Sequence, residues 1–248
     1  KGVIRDLAER SLNDKNKVNV IFGPEEEAQE YASCIAFTDA KILLYPVRSV
    51  KGVFAYITCP YVLKRFKNEL KSIEKDTLPE IPEVEDEKIL ICSNSALKID
   101  ENKVALEEFV FDVLDKNSYI DGIAKELSKF LLDELKSDFE KHFAIVSDNV
   151  FRDFTKYAVE IRTRVKINQL TGTVQEGALF TVELVPAESV FYGFLFISDP
   201  YNKSDSSIKE ASKVSEKLQN LLNNQIIQLG GDETLGMGLI KVKVSQNG

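Results

Sequence analysis

The sequence predicts an α+β fold with mostly antiparallel strand pairing. Three observations predict it. Short runs rich in β-branched and aromatic residues are punctuated by turn residues, as at Cys34 to Phe37, Ile42 to Val47 and Val53 to Thr58. Elsewhere apolar residues recur at spacings of three and four, as at Leu63, Phe66, Leu70 and Ile73. Between Ile161 and Ile167 the pattern becomes a strict alternation of apolar or β-branched and cationic residues. The 248 residues suit one large domain, or one domain with a long insertion.

Residues 1–12 read as a helix, with Val3, Ile4, Leu7 and Ala8 on one face. Gly23-Pro24 breaks the chain, and Pro24 is expected to open an acidic helical turn through Glu25, Glu26 and Glu27. The three apolar runs already named follow as strands. Pro60 sits at the first position of a helix whose outer faces carry Lys64, Arg65, Lys67, Lys71 and Lys75. Those cations fit either a solvated face or part of an RNA or partner surface.

Pro79 and Pro82 mark residues 76–88 as a loop or an insertion boundary. Strands are expected near 89–92 and 104–113, and one helix near 119–136. Asp148 is expected to cap a short helix carrying Phe151 and Phe154. Ile161 to Ile167 and Ala178 to Val185, joined through Thr171-Gly172-Thr173, read as a long hairpin that can project from the body. Val190 to Ile197 reads as one central strand. Ser206-Ser207 is expected to cap a helix carrying Ile208, Ala211, Val214, Leu218 and Leu221. Leu239 to Val244 reads as the last strand.

Composition narrows the class. The net charge of -8 argues against a protein that coats nucleic acid through its overall field, while leaving room for a local basic groove. Cys34, Cys59 and Cys92 are far apart and odd in number, which fits buried reduced thiols, a reducing compartment and hence the cytoplasm. They offer no close ligand pairs for zinc. No apolar run approaches the roughly 18 residues that span a bilayer, so no membrane partner is expected. His142, the single histidine, stands before an apolar run, where a structural role is the ordinary one.

Two features can carry chemistry. Period two puts Arg162, Arg164, Lys166 and Asn168 on one face of a strand, opposite Ile161, Thr163, Val165 and Ile167. Cations at ~6.6 Å intervals match a sugar-phosphate track, and an ordinary exposed face paired with Glu160 or Glu183 is equally compatible. The second feature is Gly230-Gly231-Asp232-Glu233-Thr234-Leu235-Gly236-Met237-Gly238. Its glycines permit positive φ and close approach of a ligand, and consecutive amides can cradle an anion. It lacks the Gly-Lys-Ser/Thr ending of a P-loop, and a strand rather than a helix is expected after it. By composition alone it is as compatible with a plain tight loop.

The segment from Asp39 through Pro46-Val47-Arg48-Ser49-Val50-Lys51-Gly52-Val53 to Pro60 resembles the RAMP backbone subunit of the type III-B CRISPR effector, the Cmr complex. So does Gln228 to Gly238. Leu106-Glu107-Glu108-Phe109, Thr171-Gly172-Thr173 and Phe191-Tyr192 fall between them in the order that the family has, and the resemblance covers essentially the whole chain.

The resemblance implies one RAMP domain over 1–248. It would have a ferredoxin-like, RRM-related core, an insertion over about 76–150 and a β-hairpin thumb over about 162–185. It implies binding of CRISPR RNA and target single-stranded RNA, copies of the chain in a filament, and other Cmr subunits as partners. The RNA contacts so implied, together with the basic stripe, are Lys1, Arg48, Ser49, Lys51, Arg162, Arg164, Lys166, Gly230, Gly231, Thr234, Gly236 and Gly238. Lys1-Gly2-Val3-Ile4-Arg5 resembles the end of the family's guide-facing helix start.

The family cleaves target RNA with a divalent metal, magnesium by its pattern, and an aspartate in a loop before that helix. This sequence begins after that loop, so no residue here receives the catalytic or metal-binding role. The first core strand is expected to be absent from these residues, leaving a sheet edge or apolar face uncovered. Glu183 resembles a position with an acid near the cleavage site; an auxiliary role and an ion pair to Arg164 or Lys166 are both open. Two other functions stand beside the leading one. A guide-processing endoribonuclease would need His142 for acid–base work. A purely architectural subunit would not touch RNA.

Overall fold

A computed structural model describes all residues except 26–30, 115–116, 168–169, 206 and 246–248, and describes no side chains at 117–118 and 175–178. The element order is α1 (Gly2–Leu12), α2 (Lys15–Phe22), β1 (Ile35–Phe37), β2 (Lys41–Arg48), β3 (Phe54–Thr58), α3 (Pro60–Ser72), β4 (Lys88–Ile91), β5 (Lys103–Leu106), β6 (Phe109–Val113), α4 (Asn117–Ser128), α5 (Asp133–His142), β7 (Phe143–Ile145), α6 (Asp148–Tyr157), β8 (Glu160–Ile167), β9 (Val174–Leu184), β10 (Val190–Tyr192), β11 (Leu195–Ile197), α7 (Ala211–Leu222), β12 (Ile226–Gln228) and β13 (Leu239–Lys241). The class is α+β, as the sequence predicts. The chain divides into two compact units. The first is Lys1–Lys41, Phe130–Leu132 and Gly193–Gly248; the second is Ile42–Lys129 and Asp133–Tyr192. The second unit thus starts before and ends after the insertion expected over 76–150.

In the first unit, β1 pairs antiparallel with β11, and β12 with β13. These are two separate two-stranded sheets. Helices α1, α2 and α7 share one core with these strands through Ile4, Ala8, Val18, Val214, Leu218 and Ile227. Full burial of side chains such as Val214 and Leu218 contributes about 1.5–3 kcal/mol each.

The second unit holds a seven-stranded mixed sheet in the order β10-β2-β3-β7-β4-β6-β5. Pairs β3–β7 and β4–β6 are parallel; β2–β3, β4–β7 and β5–β6 are antiparallel. Leu63, Phe66 and Leu70 of α3 are buried, as their spacing predicts. The Tyr61 amide in the first turn of α3 donates to Asp148 Oδ1 at 2.8 Å, placing a carboxylate at the positive end of the helix.

Several elements differ from their sequence-based form. The helix expected over 119–136 is two helices. Ser128 Oγ donates back to the Lys125 carbonyl at 2.8 Å, and Asp133 and Glu134 then open α5 at the end where acids are favoured. The strand expected over 190–197 is β10 and β11, in different sheets and neither central. Gly193 lies so close to Thr38 that a Cβ would sit 3.3 Å from its Oγ1, and the Phe194 amide donates to that Oγ1 at 2.8 Å instead of continuing a ladder.

Capping differs too. The cap of α6 is Ser147, whose Oγ accepts from the Val150 amide at 3.1 Å; Asp148 is occupied with α3. Helix α7 starts at Ala211, whose amide donates to Asp199 Oδ1 at 2.8 Å, so Ser207 is no cap and Ser206 lies outside the described residues. Of the acidic turn expected after Pro24, Glu26 and Glu27 also lie outside the described residues. Strand β13 ends at Lys241, although the Val242 amide still donates to the Gln225 carbonyl at 2.9 Å.

Candidate nucleic-acid interface

The predicted hairpin is β8 and β9, paired antiparallel with Ile161 opposite Glu183, Arg162 opposite Val182, Thr163 opposite Thr181, Arg164 opposite Phe180 and Val165 opposite Leu179. Opposed residues share a face. One face therefore carries Arg162 and Arg164 with Phe180, and the other carries Ile161, Val165 and Leu179. Residues of both faces are exposed, so this ribbon is not covered by a core of its own. A register irregularity falls between Val165 and Ile167. Lys166 sits at that irregularity, outside the regular ladder that orders Arg162 and Arg164; Asn168 lies outside the described residues. Arg162 bonds Glu160 at 2.5 Å on its own strand. Glu183 stands opposite Ile161, on the apolar face of the ribbon. The Phe180 ring on the cationic face was missed from the sequence, where it read as one of several apolar strand residues.

The turn after β2 carries Arg48, Ser49 and Lys51. The Ser49 amide donates to the Val53 carbonyl at 3.0 Å, closing the turn, and the Ser49 hydroxyl donates to the Ala105 carbonyl at 3.3 Å. Gly52 takes a φ of 77° there, and a Cβ would meet Leu97 and His142, so the position requires glycine. The Arg48 guanidinium bonds both carboxylate oxygens of Glu107, and that partner holds its pKa above the usual arginine value. Arg48 remains exposed, while Glu107 is mostly covered. Lys51 is exposed.

In the first unit, Lys1 is exposed at the start of α1, and the glycine loop joins β12 to β13. The Leu229 amide donates to the Gly238 carbonyl at 2.8 Å across the base of the loop. A one-turn 3₁₀ helix at Glu233–Leu235 follows, with Thr234 exposed in it. The amides of Leu235, Gly236 and Met237 donate to Asp232 and Glu233 carbonyls, so the expected cradle of consecutive amides is partly consumed within the loop. Gly230, Gly231 and Gly236 instead offer bare backbone: a Cβ on any of them would meet nothing within 4 Å. Gly238 serves the loop itself, since its Cβ would fall 2.0 Å from the Leu229 carbonyl oxygen.

Other candidates have partners within the fold. His142 stacks on Phe54 with centroids 5.5 Å apart, and its Nδ1 lies 3.0 Å from the Asp138 carbonyl. The cations of α3 are engaged nearby: Lys64 pairs with Glu83, Lys67 bonds the Pro79 carbonyl, and Arg65 bonds the Ile42 carbonyl. The three cysteines are free and buried, and burial pushes the Cys59 thiol up to about 12. Among the described residues no three His, Cys, Asp or Glu side chains group to hold a metal ion. No described helix is long and apolar enough to cross a membrane.

A two-unit α+β fold with a basic hairpin and a C-terminal glycine loop defines a class. The family model described as the RAMP superfamily matches residues 1–241, and the chain belongs to that superfamily. It is similar to the CRISPR system Cmr endoribonuclease Cmr4 of Pyrococcus furiosus, at 37% identity over 257 residues, covering 100% of this chain and 83% of that protein. The CRISPR system CMR subunit Cmr4 of Saccharolobus solfataricus is 24% identical over 267 residues, covering 98% and 82%. The crystal structure of oligomeric Cmr4 from Pyrococcus furiosus matches with a TM-score of 0.76 at 30% identity, over 98% of this chain and 82% of that one. These matches agree with the predicted RAMP fold and its ferredoxin-like core.

Proposed function

We propose that this chain is an RNA-binding backbone subunit of a type III-B CRISPR effector. Several copies would lie along one CRISPR RNA, with other Cmr subunits as partners, in the cytoplasm. The observation that carries this reading is the hairpin β8–β9, which sorts Arg162 and Arg164 onto one face with Phe180 beside them, Arg162 and Phe180 exposed and Arg164 half-buried. Guanidinium groups can take successive phosphates, and an aromatic ring can stack a base without regard to its identity. Such contacts carry no sequence information, which suits a protein that must hold any guide. Arg48, Ser49, Lys51 and Lys166 in the second unit, and Lys1, Gly230, Gly231, Thr234, Gly236 and Gly238 in the first, are proposed as further RNA contacts.

Cleavage of target single-stranded RNA at regular intervals is proposed for the intact protein, because the Pyrococcus relative is named an endoribonuclease. A divalent metal, magnesium on the family's pattern, is proposed with it, without a ligand set among the described residues. No residue here is assigned the cleaving role. A guide-processing reading through His142 gains no support from a ring stacked on Phe54.

Filter binding of two unrelated single-stranded RNAs across a salt series tests the reading. Arg162→Ala with Arg164→Ala is expected to weaken both RNAs alike. It should flatten the slope of log affinity against log salt by about 0.7 for each phosphate that is no longer neutralised. Wild-type affinity in that variant counts against the hairpin. Unchanged affinity after Arg48→Ala with Gly236→Asp counts against those two positions as RNA-binding residues. A wild-type chain that binds neither RNA leaves the architectural role.

A further inference from the structure

The second unit holds a groove of about 810 Å³ at the hairpin's root, and Arg48 is the one proposed RNA contact that lines it. That volume falls in the range of about 300–1,000 Å³ that small-ligand sites occupy. Phe109, Val110 and Tyr157 line the groove and are 50%, 55% and 70% exposed. Lys156, outside the lining, lies 4.9 Å from the Tyr157 ring centre, so that ring already attracts an ammonium group.

Seven carboxylates line the same groove against one cation, Arg48. Three are ion-paired: Glu107 with Arg48, Asp153 with Arg152 and Glu160 with Arg162, at 2.6, 2.9 and 2.5 Å. Asp86, Glu87, Glu108 and Glu188 form no ion pair among the described residues. Ser147 and Asn149 donate to Asp86, and Tyr56 donates to Glu188, but these donors are neutral and leave the charge in place.

The four uncompensated acids come from three separate segments: before β4, between β5 and β6, and after β9. They do not gather as metal ligands, since no three such side chains group to hold an ion among the described residues. Their charge is instead spread around an apolar concavity. A phosphate backbone is repelled by it, and a compact metal ion makes no use of the apolar lining. The complement is a molecule whose cations are separated by hydrocarbon. A lysine side chain shows the principle, laying its methylenes on apolar surface while the ammonium stays in water.

We propose that this groove binds a linear aliphatic polyamine, with its methylenes on Phe109, Val110 and Tyr157 and its ammonium groups on Asp86, Glu87, Glu108 and Glu188. The site is independent of the RNA-binding reading, because its ligand carries the opposite charge to RNA.

Equilibrium dialysis of radiolabelled spermine against the full chain tests it, without RNA and with magnesium in excess. Spermine should bind saturably, one molecule per chain. Glu87→Gln with Glu108→Gln should weaken binding roughly tenfold, since two of the four charges are gone. Tyr157→Ala should weaken it severalfold. Circular dichroism checks that each variant folds, and Val110→Ser replaces a Tyr157 variant that does not. Wild-type chain without saturable binding overturns the proposal, as does complete displacement of spermine by magnesium, which marks diffuse ion attraction. Unchanged affinity in the folded carboxylate variant or in the folded apolar variant also overturns it. A trilysine peptide that binds more tightly than spermine overturns the small-molecule assignment in favour of a protein segment.

Discussion

The Tyr56 hydroxyl donates to Glu188 Oε2 at 3.0 Å, from the middle of β3 to the loop that follows the hairpin. Glu188 holds a φ of 71°, a left-handed conformation costly for a residue with a Cβ. The opposite root is held likewise: the Tyr45 hydroxyl donates to the Ala158 carbonyl at 3.0 Å. Tyr45 faces Ile57 and Pro46 faces Tyr56 across β2 and β3, so the two tyrosines leave opposite faces of the sheet, one for each strand of the hairpin. Burial, then Glu188, pushes the Tyr56 hydroxyl well above the ordinary tyrosine value, so it stays a donor at neutral pH.

Tyr45→Phe with Tyr56→Phe should loosen both roots. Each change is expected to remove about 1 kcal/mol of hydrogen bonding. Amide exchange should quicken at 158–160 and 185–189 while β3, β4 and β7 keep their protection, which hydrogen-exchange mass spectrometry resolves. Uniform quickening across the sheet would refute the assignment of these bonds to the roots.

Gly238→Ala and Gly236→Ala should differ. Both positions have positive φ, which costs an alanine about 1 kcal/mol. Only Gly238 also meets a carbonyl oxygen at 2.0 Å, so its variant must open the base of the loop. Denaturant unfolding should rank Gly238→Ala as clearly the less stable.

Asp86 makes the acid limb of stability local. Ser147 and then Asn149 hold its carboxyl below the ordinary value near 3.8. A folded value below the unfolded one gives stability that is present above the unfolded pKa and lost as pH falls through the folded pKa. Asp86→Asn should therefore flatten the fall in stability below about pH 4 and change little between pH 6 and 8. An unchanged acid limb in thermal melts would remove Asp86 from the account.

Native thiols should be silent. Burial raises Cys34, Cys59 and Cys92 alike, and the thiolate is the reacting form. A chromogenic disulfide reagent at pH 8 should titrate no rapid thiol in the folded chain and all three cysteines in denaturant.

The hairpin was legible because period-two alternation fixes faces without knowledge of the partner strand. The irregularity at Val165 was not, since alternation of side-chain type runs straight through it. Val190 to Ile197 looked like one strand because apolar character does not say which sheet will accept a segment. Ser147 and Asp148 are both good helix caps, and the choice between them was made by α3, which takes Asp148. The glycine loop was visible as composition, but which glycines are structural depends on the Leu229 carbonyl. The tyrosine roots and the groove were invisible because they join segments such as Tyr45 and Ala158, which no local pattern relates.

The pairing of Ile35 with Ile197 also sets a schedule for synthesis. At roughly 5–20 residues per second, β1 waits on the order of ten seconds or more on the ribosome before β11 emerges. The second unit's sheet has all its strands once Tyr192 is made, and most of it earlier. Helices α1 and α2 are thus made before the second unit, and their own unit is completed after it. During that interval their apolar faces depend on whatever the nascent chain and its chaperones provide.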